Sequence, residues 1–389
     1  MNNDMPYKGK HVLILEGYAR QSLPIMRAFK QHGCTVSVLC NSRLDIAYAS
    51  RLPDNRILGV CSIDRKDETE ECIRKLLKTK KYDLVFPLVD FSAGILSENK
   101  AEFEKYTAVA ANEYDVFEKA QDKLSVMRVC TENNIPCPKT ITDAKTADDV
   151  IGSNLTYPVI VKPRRECGAR GFEFFDDKNS LADYMQNDGI NPGDFVIQEY
   201  ITGGLYNLSA NIFIDEHGAV KSNYIYASCR WFPPKGGTGT FNVTVDDRQA
   251  LDYGKKLVEL MGLRGCCGVD FIKDPRDGAV KVLEINPRVM ACTQIGFLAG
   301  VDIVKQTLEQ EFGTEVSDMS DYKKDIRVRM SQIDFLWFLK SPDRFRAKPS
   351  WFSLKNTKDQ TFSWDDPLPW FAFLIQGLRR CKKEIKRRS

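Results

Sequence analysis

The stretch that decides the fold reads Gly268-Val269-Asp270-Phe271 and then, beyond Asp274-Pro275-Arg276-Asp277-Gly278, Leu283-Glu284-Ile285-Asn286-Pro287-Arg288. Two apolar runs of strand length flank a turn rich in Asp, Pro and Gly. This predicts a β-hairpin over Gly268–Lys273 and Ala279–Asn286. Side chains alternate along a strand, so Glu284 and Asn286 share one face and Leu283 and Ile285 take the other. Asp270, on the partner strand, can turn to the face of Glu284. Two carboxylates and an amide oxygen form a hard-oxygen set suited to Mg2+. Arg288 follows at once and can meet phosphate oxygens as a planar fork. The plainer reading is a solvated strand face with an incidental acidic pair. Apolar Leu283 and Ile285 argue against it, because they assign the other face to the core.

Upstream, Tyr157-Pro158-Val159-Ile160-Val161-Lys162-Pro163 reads as a buried strand ending in lysine. The next residues, Arg164 to Gly171, form a loop containing Gly168, Ala169, Arg170 and Gly171. Glycines let backbone N–H groups approach phosphate oxygens closely, and a strand-end lysine can reach them as a compact charge. Phe172–Phe175, Phe195–Ile201, Tyr206–Ile214 and Ala219–Phe232 read as further strands, and Asp246–Met261 as a helix. Gln121-Asp122-Lys123 opens a helix that runs to Asn133. This is an α+β region.

The beginning of the chain has a different rhythm. His11–Leu15, Thr35–Cys40 and Asp83–Leu88 are apolar strands, with helical patterns running to Gly33 and over Lys66–Lys80. The β-α-β order implies a parallel sheet, which binds ligands at its C-terminal strand ends. Those ends are Glu16-Gly17-Tyr18 and Val89-Asp90-Phe91. No GxGxxG follows the first strand, which argues against a dinucleotide. For Asp90 the plainer role is to cap the next helix.

Composition narrows the chemistry. The chain has 389 residues, 43% hydrophobic and 28% charged, with a net charge of +3. These values suit a soluble protein of two or three domains and give no case for nucleic acid. No apolar run nears the ~18 residues of a membrane span, and the N-terminus does not read as a signal peptide. Twelve scattered cysteines without a CxxC pair point to a reduced, cytoplasmic setting. Only His11, His32 and His217 are histidines, and none is near a Ser or Cys nucleophile in sequence. Catalysis must therefore use Lys, Arg and carboxylates, which suits phosphoryl chemistry.

Taken in order, Lys123, Lys162, the glycine loop and the LEINPR hairpin resemble the ATP-grasp superfamily over roughly residues 118–310. The arrangement is most similar to bacterial ATP-dependent carboligases, the group that includes D-aspartate ligase. The resemblance implies a parallel-sheet α/β domain over 1–117. An ATP-grasp domain follows over 118–317, with antiparallel-sheet subdomains at 118–196 and 197–317. A Trp-rich C-terminal extension covers 318–389. It implies that Lys123 and Lys162 bind nucleotide and that Gly168, Ala169, Arg170 and Gly171 cover the phosphates. Gln198, Glu199, Tyr200 and Ile201 match the hinge that reads adenine. Asp270, Glu284 and Asn286 match the ligands of two Mg2+ ions, with Mn2+ as an alternative, and Arg288 stands beside the transferred phosphate. Leu205 departs from the family, which often has a ribose-binding glutamate there. The implied reaction activates a carboxylate with ATP for attack by an amine. The alternatives are a carbamoyl-phosphate-synthase-like enzyme and a degenerate nucleotide-binding scaffold.

Two features lie outside that match. Cys229-Arg230-Trp231-Phe232-Pro233-Pro234-Lys235-Gly236-Gly237-Thr238-Gly239 offers two cations, Arg230 and Lys235, for an acyl phosphate or acidic acceptor. Its plainer reading is a long connection with solvated charges. At the end of the chain, Phe371, Leu374, Leu378, Cys381 and Ile385 recur at helical spacing, with Arg379, Arg380, Lys382, Lys383, Lys386, Arg387 and Arg388 around them. This predicts either a docked final helix or peripheral contact with an anionic membrane surface.

Overall fold

The computed structural model describes residues 5–165, 171–186, 190–203, 207–234 and 237–388, with side chains as far as residue 378. The first sheet is parallel and contains β1 (His11–Ile14), β2 (Thr35–Cys40), β3 (Asn55–Leu58), β4 (Leu84–Phe86) and β5 (Ala108–Val109), in the order β3-β2-β1-β4-β5. Its inner strands β2, β1 and β4 are apolar on both faces because both are covered. Val12 and Ile14 join one hydrophobic cluster, and Leu13 and Leu15 join another. Strand order reverses between β1 and β4, so a crevice opens at their C-terminal ends. Gly17 sits at that end of β1. A Cβ there would lie 2.3 Å from Cys40 Sγ, so the backbone passes where only glycine fits.

The second sheet is antiparallel, in the order β6-β9-β7-β8: β6 (Thr140–Ile141), β7 (Val159–Pro163), β8 (Glu173–Phe175) and β9 (Phe195–Glu199). Val159 and Val161 of β7 enter a core with Val150, Leu181 and Ile197. Period-two alternation then turns Ile160 and Lys162 to the opposite face, which lines the central cleft.

The third sheet has seven strands in the order β14-β13-β10-β11-β12-β15-β16. They are β10 (Asn207–Ile214), β11 (Val220–Phe232), β12 (Thr238–Thr244), β13 (Gly265–Lys273), β14 (Val280–Asn286), β15 (Arg327–Arg329) and β16 (Thr357–Asp359). The decisive hairpin is β13–β14. Cys267, Val269 and Phe271 are core residues, so Asp270 faces the cleft.

One sequence expectation is corrected here. Leu283 does not share the core face with Ile285. The register passes from Asp270↔Glu284 to Phe271↔Val282, so Leu283 is the extra residue of a β-bulge and lines the cleft. The bulge lets Val280 and Val282 be core on one side of it and Ile285 on the other, with Glu284 re-aimed between them.

The segment from residue 318 is also more than an appendage. β15 pairs antiparallel with β12, and β16 adds parallel to β15. The final helix, Leu368–Arg388, docks beside the first sheet. Ala372 is buried, and Gln376 Nε2 donates to Leu44 O and Asp45 Oδ1, each at 3.0 Å. The opposite face, carrying Phe371, Leu374, Ile375 and Leu378, is exposed. Phe371, Leu374 and Leu378, the described part of the apolar stripe expected to dock the helix, are therefore turned outward.

Candidate functional site

A cleft of about 510 Å3 lies among the three sheets and draws residues from each. Its acidic floor is the β13–β14 hairpin. Asn286 Nδ2 donates to Asp270 Oδ2 at 2.9 Å, and Ser209 Oγ on β10 donates to Asp270 Oδ1. Burial, and then the neighbouring Glu284 charge, push the Asp270 carboxyl up to about 6. Two carboxylates held this close favour a cation between them. Among the described residues no group of three His, Cys, Asp or Glu side chains is placed to hold a metal. A cation on this floor would thus draw on Asp270 and Glu284, with the amide oxygen of Asn286 as third donor. These are hard oxygen atoms, and the set fits Mg2+.

Two lysines approach from the other side, one on a helix and one on β7. Lys123 is buried at the start of the helix Lys123–Glu132, with its Nζ 3.6 Å from Glu284 Oε2. Asp122 caps that helix by accepting from Leu124 N, and it also accepts from Arg164 Nε at 2.9 Å. The cap thereby joins the helix to the end of β7. Lys162 Nζ donates to Gln198 Oε1 at 3.1 Å. Burial, opposed by Glu284 and reinforced by the like charge of Lys123, lowers Lys162 to about 8. It is a cation at neutral pH with little solvent around it, the state in which a phosphate gains most.

The hinge residues divide by role. Gln198, Glu199, Tyr200 and Ile201 all line the cleft. The Gln198 amide is committed to Lys162 and to Thr140 Oγ1, the latter at 2.7 Å. The Glu199 carboxylate accepts from Lys139 N and from Arg276, and it pairs with Lys281. Tyr200 N donates to Pro158 O at 2.7 Å. Ile201 N–H has no partner among the described residues. Gly171, with φ +66°, adopts a conformation that favours glycine. Gly168, Ala169, Arg170, Leu205 and Lys235 lie outside the described residues.

Arg288 links this floor to the first sheet. Its Nη2 donates to Asn286 Oδ1 at 2.7 Å and to Asp90 Oδ2 at 2.9 Å. Asp90 is the first residue of the helix Asp90–Glu98. The N-cap is Val89, so Asp90 is not the capping residue. Behind it lies Glu16 at φ +57°, fully buried, with Oε2 accepting from Leu88 N and Ser92 Oγ. Burial pushes Glu16 up to about 7. Glu16 and Asp90 stood in the strand-end loops picked out in the sequence. The pairing of Asp90 with Arg288 spans 198 residues and left no local signal.

Arg230 is a correction. It does not reach the cleft. Its side chain is 1% exposed and forks onto Asp334, itself 0% exposed, at 2.8 Å (Nε–Oδ1) and 3.0 Å (Nη2–Oδ2). Nη1 donates to Pro349 O, and the guanidinium lies 3.9 Å from the Phe241 ring centroid. With its donors already used, Arg230 ties β11 to the helix Ser331–Lys340. The sequence missed this because Asp334 is 104 residues away. It also missed Arg20, Tyr226 and Asn242 in the cleft wall.

Comparison with known proteins agrees with this geometry. The ATP-grasp domain family matches residues 120–292. D-aspartate ligase of Enterococcus faecium (strain Aus0004) is 25% identical over 268 residues, 62% of this chain and 63% of that protein. The chain spans less than two thirds of the length of the curated relatives it matches. Among solved structures, the biotin carboxylase–β-γ-ATP complex from Campylobacter jejuni superposes with a TM-score of 0.66 at 16% identity, over 81% of this chain and 74% of that one. L-amino acid ligase from Bacillus licheniformis gives 0.60 at 16%, over 78% and 74%. Residues 120–292 of the chain match the ATP-grasp domain.

Proposed function

We propose that this chain is an ATP-dependent carboxylate–amine ligase acting on small molecules. One observation carries the reading: Lys123, Lys162, Asp270, Glu284, Asn286 and Arg288 converge on one cleft from two sheets and a helix. A substrate carboxylate attacks the γ-phosphorus of ATP, ADP leaves, and an acyl phosphate forms. An amine then attacks the acyl carbon, phosphate leaves, and a C–N bond results. Lys162 and Arg288 hold phosphate oxygens whose charge grows in the first step. Asp270, Glu284 and Asn286 hold Mg2+, read as two ions and replaceable by Mn2+, which supplies positive charge to the phosphates. The hinge at Glu199 to Ile201 receives adenine, with the unpartnered Ile201 N–H as a donor. The test is ADP release with pooled carboxylates and amines. Mg-dependent release requiring both a carboxylate and an amine supports the reading. Release that never depends on either, across the pools, would overturn it.

We also propose that the protein is cytoplasmic and meets an anionic membrane surface through its C-terminal region. No helix among the described residues is long and apolar enough to cross a membrane. Exposed large apolar side chains are nevertheless concentrated late in the chain, including Trp364 at 92%, Leu354 at 74% and Phe345 at 71%. The outward stripe of the final helix leads straight into the basic run from Arg379 to Arg388. Apolar insertion beside cationic attraction fits an anionic lipid surface. The full chain should co-sediment with phosphatidylserine vesicles at low salt and release at high salt. Equal binding to neutral vesicles, or no binding, would remove the proposal.

A further inference from the structure

Arg20 projects from the loop joining β1 to the helix Ser22–Gln31 and lines the cleft beside Tyr226, Asn242 and Cys292. It is partly buried. Its Nη1 donates to Met330 Sδ at 2.9 Å, and among the described residues it forms no ion pair. Arg288 and Arg230, by contrast, each hold a carboxylate. Asn242 is in a similar position. Its Oδ1 accepts from Ser228 Oγ at 2.7 Å, while its Nδ2 donates to Cys292 Sγ at 3.2 Å. Two strong donors in one wall thus end on sulfur, the weakest acceptor among protein side chains. Desolvation lowers the pKa of Arg20, and the like charge of Arg288 adds to it more weakly. A guanidinium in such a place is underused until an anion reaches it.

We propose that Arg20, with Asn242, binds a second carboxylate of the substrate, one that is not phosphorylated, so that the substrate is a dicarboxylic acid, acidic amino acids included. This rests on the ligase reading above. The carboxylate that reacts must lie beside the transferred phosphate, the ground held by Arg288 and the Asp270–Glu284 pair. Arg20 enters from the first sheet and is left for another anionic group on the same molecule. A fork of two N–H donors suits the two oxygens of a carboxylate. No covalent step is added, because Arg20 positions the substrate through charge and hydrogen bonds.

The test uses the full chain saturated with Mg2+ and β,γ-methylene ATP, titrated calorimetrically with succinate and with its monoamide, succinamate. Wild type should bind succinate about tenfold or more tightly than succinamate, the scale of one charge-assisted hydrogen bond. Arg20→Met should bind the two alike while keeping its nucleotide affinity within about twofold. Arg20→Lys should retain part of the preference, which a merely structural arginine would not show. A wild type without preference, binding of neither compound, or a preference that survives in Arg20→Met would each overturn the proposal. Failure of wild type to bind nucleotide would sink the ligase reading together with this one. Intact nucleotide binding without diacid preference sinks this one alone.

Discussion

Arg230 and Arg288 invite comparison because the sequence assigned both to chemistry. Arg230 is sealed between β11 and the helix Ser331–Lys340, forked onto Asp334, with Thr240 Oγ1 donating to the same carboxylate at 2.9 Å. Arg288 pairs with Asp90 as well, but across two sheets and on the wall of an open cleft. Its Nε is buried without a hydrogen-bond partner among the described residues. In the first region Arg230 and Asp334 are matched inside the protein, with Arg329 as a second cation at 3.3 Å from the same carboxylate. In the second, matching is incomplete: the Asp270–Glu284 pair, Lys162 and Arg20 all lack part of their natural complement. A satisfied ion pair supports structure, and an unsatisfied one waits for a ligand.

The largest effect should come from breaking the satisfied region. Arg230→Ala leaves the Asp334 charge buried, at a cost of about 3–5 kcal/mol. Urea denaturation should show that loss. Arg288→Met should change stability far less. If the two arginine variants lose equal stability, the division between sealed and open regions fails.

The next effect concerns Glu16, which supports the Leu88–Ser92 turn beneath Asp90. Its carboxyl is raised from the ordinary range to about 7, so the folded state favours the neutral form. The stabilisation is complete below about pH 4.5 and is lost as pH rises through 7. Over that window the cost of charging the buried group grows to about 3 kcal/mol. Glu16→Gln should therefore gain stability over wild type at pH 8 and match it near pH 4.5. A difference that stays constant across this range would contradict the assignment.

Smaller still is the pH effect at Lys162. Its lowered value near 8 means that the cation fades as pH rises above 8. Mg-ADP affinity should fall by about fivefold between pH 8 and 9 if Lys162 holds the phosphates. Lys162→Arg should bind independently of pH over that interval. The same fall in Lys162→Arg would place the titrating group elsewhere.

The sequence revealed most where period and turn chemistry are local. The β13–β14 hairpin, the strand ending at Lys162 and the helix opened by Asp122-Lys123 were all legible from alternation, a turn and a cap. Leu283 was misplaced because alternation cannot anticipate a bulge. β15 and β16, of three residues each, are too short to show a period. The Asp90–Arg288 and Arg230–Asp334 pairs, and the sulfur-facing donors Arg20 and Asn242, depend on contacts between distant segments. The outward turn of the final helix was likewise hidden. Its apolar spacing gave a stripe, but only tertiary packing decided that Ala372 faces inward and Phe371 outward.

The central claim is that the incompletely matched cleft is where Mg-ATP reacts, and one kinetic measurement tests it most directly. Mg-dependent ADP release should be compared in wild type, Glu284→Gln and Lys162→Ala, with the melting temperature recorded for each. Glu284→Gln removes a charged ligand of the proposed Mg2+ and Lys162→Ala removes a cation from the phosphates, and each should lower turnover by at least ~10²-fold while the protein still folds. Near-normal release by folded Glu284→Gln would contradict the account.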